Sequence, residues 1–165
     1  MRLAHDCIVV GSGIAGLTFA LKISEFASVA LLAKDAMEEG ATRYAQGGIA
    51  SAMAEDDSYT LHVEDTLEAG RGLCKEDVVR CLIKEGPGRV RELIELGARF
   101  RRNQNDAYDL TREGGHSKHR ILHAGDLTGW EIERALIRAV LARPNIEVVT
   151  HHMAVDLITR ANLGC

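Results

Sequence analysis

Ile8-Val9-Val10-Gly11-Ser12-Gly13-Ile14-Ala15-Gly16 decides the fold of this chain: an apolar strand runs directly into glycines at G-x-G-x-x-G spacing. Gly11 permits a tight turn, Gly13 leaves room for the backbone to approach a pyrophosphate, and Gly16 lets the next helix pack close to the strand. Apolar Leu17, Ala20, Leu21 and Ile23 then recur at helical spacing, so phosphate charge would rest on the unpaired N–H groups that open a helix. A second strand, Ser28-Val29-Ala30-Leu31-Leu32, arrives at the distance a βαβ unit needs. A glycine turn kept for geometry alone is the alternative. The strand before it and the helix and strand after it favour a dinucleotide site.

The chain has 165 residues, enough for one domain with its own core. Aromatic residues make up only 4%, so that core is built from Val, Ile, Leu and Ala, which suits a parallel sheet flanked by helices. The net charge is -4 with signs mixed, and no basic patch interleaved with aromatics argues for a nucleic-acid partner. No run approaches the roughly 18 apolar residues of a membrane span. His5 and Asp6 stand where a signal peptide would be apolar, so no membrane partner and a cytoplasmic location are expected. Cys7, Cys74, Cys81 and Cys165 fall at unrelated spacings, as reduced thiols rather than zinc or dithiol chemistry.

Residues 33–52 form a polar loop long enough to be functional, and its Gly47-Gly48-Ile49-Ala50 offers backbone able to lie close to a flat ligand; a surface loop with a turn is the alternative. A helix is predicted over 57–69, with Asp57 or Ser58 as cap and Leu61, Val63 and Leu67 apolar. Val78, Val79, Leu82 and Ile83 mark a second helix that stops near Gly86. Pro87 opens a third, which carries Val90, Leu93, Ile94 and Leu96 up to Gly97. Residues 99–117 are polar and irregular. A short extended run at 120–123, a helix over 128–143 stopped at Pro144 and a strand over 146–149 return the chain to the sheet. A further strand over 154–159 would leave an open edge, so the chain is read as truncated. The fold class is α/β, a Rossmann-like βαβ core with a parallel sheet.

Few residues carry chemistry by type and place. An acid that binds a ribose hydroxyl is expected at the end of the second strand, yet Ala33-Lys34 holds that position, with Asp35 one step on. This counts against a simple nicotinamide dehydrogenase. Lys34 either meets a phosphate or ribose oxygen or is an exposed lysine. Glu113 lies between Arg112 and Gly114-Gly115, where loop geometry can aim its carboxylate at a cationic substrate group such as an ammonium; a solvated turn is the alternative. His116, His119 and His123 fit no familiar metal spacing, and no metal is expected.

Four stretches taken together carry a resemblance: Gly11-Ser12-Gly13-Ile14-Ala15-Gly16, Tyr44-Ala45-Gln46-Gly47-Gly48-Ile49-Ala50, His62-Val63-Glu64-Asp65-Thr66-Leu67 and Leu110-Thr111-Arg112-Glu113-Gly114-Gly115-His116-Ser117. They resemble the L-aspartate oxidase family, which groups with the flavoprotein subunits of succinate dehydrogenase and fumarate reductase. Arg120-Ile121-Leu122-His123-Ala124 and Asp126-Leu127-Thr128-Gly129 extend the likeness over nearly the whole chain. The resemblance implies an FAD-binding domain with non-covalent FAD at Gly11, Ser12, Gly13, Ile14, Ala15 and Gly16 and at Lys34. It further implies contacts along Ala41, Thr42, Arg43, Tyr44, Ala45, Gln46, Gly47 and Gly48, and near the adenine at Met153 and Ala154. Glu113 would orient the substrate. The implied reaction oxidises L-aspartate to iminoaspartate by hydride transfer from Cα to the flavin, with reoxidation by oxygen or fumarate. Its product feeds quinolinate and NAD synthesis, with quinolinate synthase a candidate partner.

Two positions separate the oxidase from the dicarboxylate dehydrogenases. Those enzymes place a flavin-bonding histidine where this chain has Ala41, and Glu113 supplies a carboxylate for an amino group that succinate lacks. The family commonly has serine in place of Ala33 and of Ala41, so a hydroxyl contact is lost at each. The family is also much longer. Residues 1–165 are therefore read as the N-terminal part of the FAD-binding domain, with the rest of that domain, a capping domain and a C-terminal helical domain absent. No arginine clamp for two carboxylates can be assigned, and the segment alone is expected not to turn over aspartate. Alternatives are a succinate dehydrogenase or fumarate reductase-like flavoprotein subunit, a non-catalytic nucleotide-binding module and a nicotinamide-dependent reductase.

Overall fold

Strands and helices follow the order β1 (Cys7–Val10), α1 (Ile14–Ile23), β2 (Val29–Leu32), β3 (Ile49–Ala50), α2 (Tyr59–Ala69), α3 (Glu76–Glu95), β4 (Ile121–Leu122), α4 (Thr128–Leu141) and β5 (Ile146–Val149). The computed structural model describes residues 4–159. They fall into two units, residues 4–42 with 136–159, and Arg43–Ala135.

The first unit is the predicted βαβ core. Its parallel sheet runs β1-β2-β5, with Val9 beside Leu31 and Leu31 beside Val148. β2 is central because Val29, Ala30 and Leu31 are all buried, a continuous apolar run that tolerates cover on both faces. α1 packs on β1 and β2 and buries Leu17, Ala20 and Leu21, the stripe its periodicity predicts. The Asn145 side-chain amide donates to the carbonyls of Ser24 and Ala27 at 2.6 and 2.8 Å, tying the end of α1 to the entry of β5. At the start of the sheet, Ser28 donates its hydroxyl and N–H to Asp6. These bonds hold that carboxyl below its ordinary pKa.

In this unit one expectation fails: residues 154–159 form no strand. Val155, Leu157 and Ile158 are strongly exposed. Alternating apolar residues make a strand only when a neighbour takes the ladder hydrogen bonds, and no described strand pairs with them.

In the second unit Ser58 caps α2, its Oγ accepting from Leu61 N–H at 3.2 Å. Asp57, the other candidate cap, has a different partner. α2 packs against α3, which is a single helix where two were predicted. Pro87 sits inside it. Proline removes one intrahelical bond, but buried Val79, Val90 and Leu93 lie in helical phase on both sides of Pro87, so one apolar stripe holds both halves on a common axis. β3 and β4 pair antiparallel, Ile49 beside Leu122. α4 begins in this unit, and its residues from Leu136 belong to the first.

Candidate functional site

The turn after β1 is built from backbone. Gly11 has φ +104 and donates its N–H to Leu32 carbonyl at 2.8 Å, holding the turn to the end of β2. A Cβ on Gly16 would collide with the Gly11 carbonyl oxygen, so the close strand-to-helix approach needs glycine there. Gly13 is different. A Cβ there meets only Thr42 Oγ1, at an ordinary 3.5 Å, so the fold itself leaves that position room for a side chain. The Ile14 N–H donates to Thr42 Oγ1 at 3.0 Å, while the first turn of α1 carries no acid and no side-chain cap. N–H groups at such a terminus suit an anion.

A cavity of about 340 Å³ opens at this turn. It lies at the carboxyl ends of β1 and β2, where open α/β sheets bind ligands. Gly11, Ser12, Gly13, Lys34, Ala41, Thr42, Met153 and Ala154 line it, all of them predicted. Ile14, Ala15 and Gly16 form the first turn of α1 behind it. Asp35, one step past the position expected for a ribose-binding acid, also lines it, as do Glu39 and His152, which the sequence does not single out. His152 is set there by its own N–H bond to Ala33 carbonyl at 3.0 Å, a contact with no local signal. Glycine backbone, a helix N-terminus and one lysine form a donor set that fits a dinucleotide pyrophosphate.

In the second unit, Arg43, Tyr44, Ala45, Gln46, Gly47 and Gly48 lead into β3. Ala45 carbonyl accepts from Gly129 N–H at 3.0 Å and Gly47 carbonyl from Thr128 Oγ1 at 2.8 Å, so the start of α4 holds this loop. Gly47 has φ +71, and a Cβ there would stand 3.1 Å from Glu113 Oε1. The predicted carboxylate and the predicted glycine loop therefore meet. Behind them, a Cβ on Gly48 would strike Ile121 and the Leu122 carbonyl, so β4 backs the loop at backbone distance.

Glu113 itself is exposed, on a loop whose base is the Thr111–Ile121 bridge. Arg120, at the end of that loop, is fully buried and pairs with Asp57 and Asp65. The quoted motifs contain Asp65 and Arg120, and Asp57 stands in the sequence only as a candidate cap; nothing local indicates that the three meet. Burial pulls the Asp65 pKa up, but bonds from Ser117 and Arg120 outweigh it and hold the carboxyl below its usual range. His62 is pushed below the ordinary imidazole value, by burial first and then by the electrostatic influence of Arg120 and His116. The histidines of this loop and of β4's end have separate surroundings. His116 stands edge-on to His62, His119 Nδ1 lies 3.2 Å from Leu110 carbonyl, and His123 Nε2 lies 4.0 Å from Asp109.

Comparison with known proteins gives the family. Residues 6–165 match the family described as FAD binding domain, and the chain belongs to that family. FAD is the cofactor of the family. The chain is 50% identical over 155 residues to the chloroplastic L-aspartate oxidase of Arabidopsis thaliana, covering 94% of this chain and 24% of that protein. It is 45% identical over 167 residues to the L-aspartate oxidase of Pseudomonas aeruginosa, covering 97% and 31%. Among solved structures, a quinol fumarate reductase of E. coli superposes with a TM-score of 0.88 at 29% identity, over 94% of this chain and 27% of that one. The chain thus spans about a quarter to a third of the length of these relatives. Among the described residues, no helix is long and apolar enough to cross a membrane.

Proposed function

We propose that this chain is the part of an L-aspartate oxidase that holds FAD and presents Glu113 to the ammonium group of L-aspartate. The observation that carries the reading is the Glu113 carboxylate lying against the Gly47 backbone. In this reading Gly11, Ser12, Gly13, Ile14, Ala15 and Gly16 bind the pyrophosphate through backbone N–H groups and the dipole of α1. Lys34 serves a ribose or phosphate oxygen, and Met153 and Ala154 serve the adenine. Ala41, Thr42, Arg43, Tyr44, Ala45, Gln46, Gly47 and Gly48 serve the flavin side. Ala41 has no nucleophilic atom, so the cofactor is held non-covalently there, and acid precipitation should leave all flavin in the supernatant. Bound FAD supplies the acceptor for the hydride from Cα and is reoxidised by oxygen or fumarate.

The chain's own work is orientation. An ammonium paired with the Glu113 carboxylate is fixed by a charge-assisted hydrogen bond that a plain dicarboxylate cannot make. A flavoprotein subunit acting on succinate or fumarate is the second reading, favoured by the fumarate reductase superposition. The test uses this chain carried at the full length of its relatives and purified with FAD. Anaerobic L-aspartate should bleach the yellow absorbance and succinate should not; the reverse result overturns the proposal. A cytoplasmic location and an encounter with quinolinate synthase go with this reading, and fractionation and co-purification test them.

A further inference from the structure

The loop that carries Glu113 is fastened by charge far more heavily than its closure requires. Asp65 Oδ2 accepts from Ser117 N–H and Ser117 Oγ, each at 2.8 Å, and from Arg120 Nη1 at 2.7 Å. Arg120 gives its other edge to Asp57 in a bidentate pair, both bonds 2.8 Å. Lys118 Nζ reaches Asp56 Oδ2 at 2.9 Å. A Cβ on Gly115 would stand 3.4 Å from Ala69 Cβ, so the loop lies directly against α2.

Backbone bonds already close this loop: Thr111 N–H to Ile121 carbonyl at 3.1 Å, and Ile121 N–H to Thr111 carbonyl at 3.0 Å. Burying a guanidinium costs several kcal/mol in lost hydration, which its partners offset only when every bond is made. What the extra bonds add is a second fixed end. Glu113 stands two residues after Thr111 and four before Ser117, with a turn from His116 N–H to Glu113 carbonyl at 3.3 Å. Across flexible Gly114-Gly115, the direction of Glu113 depends on where Ser117 is held.

We propose that Asp65, backed by Arg120 and Asp57, is a positioning residue that sets the place of the Glu113 carboxylate and thereby the preference for an ammonium-bearing substrate over a plain dicarboxylate. The proposal rests on the role of Glu113 given above. A displaced carboxylate weakens the ammonium contact while leaving the binding of the two substrate carboxylates as it was.

The test compares Glu113→Gln, Asp65→Asn and Ser117→Ala in the FAD-loaded protein at the full length of its relatives. The readouts are the KM for L-aspartate, the inhibition constant of succinate, FAD content, and hydrogen exchange of the 114–117 amides. Glu113→Gln should raise the aspartate KM at least about tenfold, Asp65→Asn about tenfold and Ser117→Ala about threefold, with the succinate constant unchanged in each. Amide exchange should quicken in Asp65→Asn and Ser117→Ala but not in Glu113→Gln. A parallel loss of succinate binding or of FAD in Asp65→Asn makes Asp65 merely structural and overturns the proposal. If Glu113→Gln alone raises KM, the proposal falls and the role of Glu113 stands. If Glu113→Gln has no effect, both fall. Should Asp65→Asn fail to fold, Ser117→Ala decides, because it keeps both ion pairs of Arg120.

Discussion

The glycine turn of the first unit and the Glu113 loop of the second are both non-regular segments with a chemical task, yet they are held by different forces. The turn is fixed by backbone: one hydrogen bond from Gly11 to Leu32, one left-handed φ and one contact too close for a side chain at Gly16. The loop is fixed by ionised side chains that come from 55 and 63 residues away. A phosphate needs only N–H groups and a helix dipole, which a short segment supplies by itself. A carboxylate that must be aimed is a charge on a flexible stem, and other charges have to hold its loop. Sterics should therefore break the first region and neutralisation the second.

The largest effect belongs to Gly16→Val. Its side chain would overlap the Gly11 carbonyl, and α1 would have to move off β1. Purified protein should be colourless, with no FAD recovered on titration. Next comes Arg120→Met, which leaves the buried Asp57 carboxylate and the part-buried Asp65 carboxylate without their cation. Removing one partner of a buried pair costs about 3–5 kcal/mol, read as a lower urea midpoint. Adding Asp57→Asn and Asp65→Asn should recover much of that loss, since no unpaired charge then remains. If the triple variant is weaker still, geometry rather than charge holds the loop.

This contrast also explains what the sequence made legible. The βαβ core follows from local periodicity and turn chemistry, and Gly11, Ser12, Gly13 and Lys34 line one cavity, whereas the strand order β1-β2-β5 has no local signal. Glu113 and the Gly47 loop could be picked out by residue type, but their meeting depends on the pairing of β3 with β4, which no short window contains. Arg120 looked like the first residue of a strand. Nothing local says that it is buried, because its partners lie on and just before α2. Pro87 misled in the opposite sense: a strong local breaker was overruled by tertiary burial of Val79, Val90 and Leu93. Residues 154–159 have strand composition without a pairing neighbour.

A pH effect separates the two regions next. His62, on α2, has its pKa lowered by burial first and then by the electrostatic influence of Arg120 and His116. Above about pH 6.5 both folded and unfolded chains are neutral at this position. As pH falls, the unfolded chain takes the proton first, so the stability of α2 is complete above about pH 6.5 and declines until the lowered folded value is passed. Protection of the α2 amides from hydrogen exchange should fall across that window, while protection in α1 should not. His62→Gln should flatten the slope. Asp65, also lowered, adds a second loss only near the carboxylate range, as acid protonates it.

The smallest expected effects come from two hydroxyls that serve helix N-termini. Ser58 caps α2 from three residues away, and Thr42 takes the Ile14 N–H of α1 from 28 residues away. Ser58→Ala should cost about 1 kcal/mol, the usual value of a lost cap. It should leave exchange of the 114–117 amides unchanged, because Arg120 rather than the cap holds Asp57. Thr42→Val frees an exposed N–H that water can satisfy, so its stability cost should be smaller than that of Ser58→Ala. Its effect should instead fall on the cavity that Thr42 lines, as a few-fold weaker FAD affinity in a fluorescence titration. Equal stability losses with unchanged FAD affinity would mean that the Thr42 hydroxyl acts only as a helix cap, and that the mouth of the cavity is shaped by backbone alone.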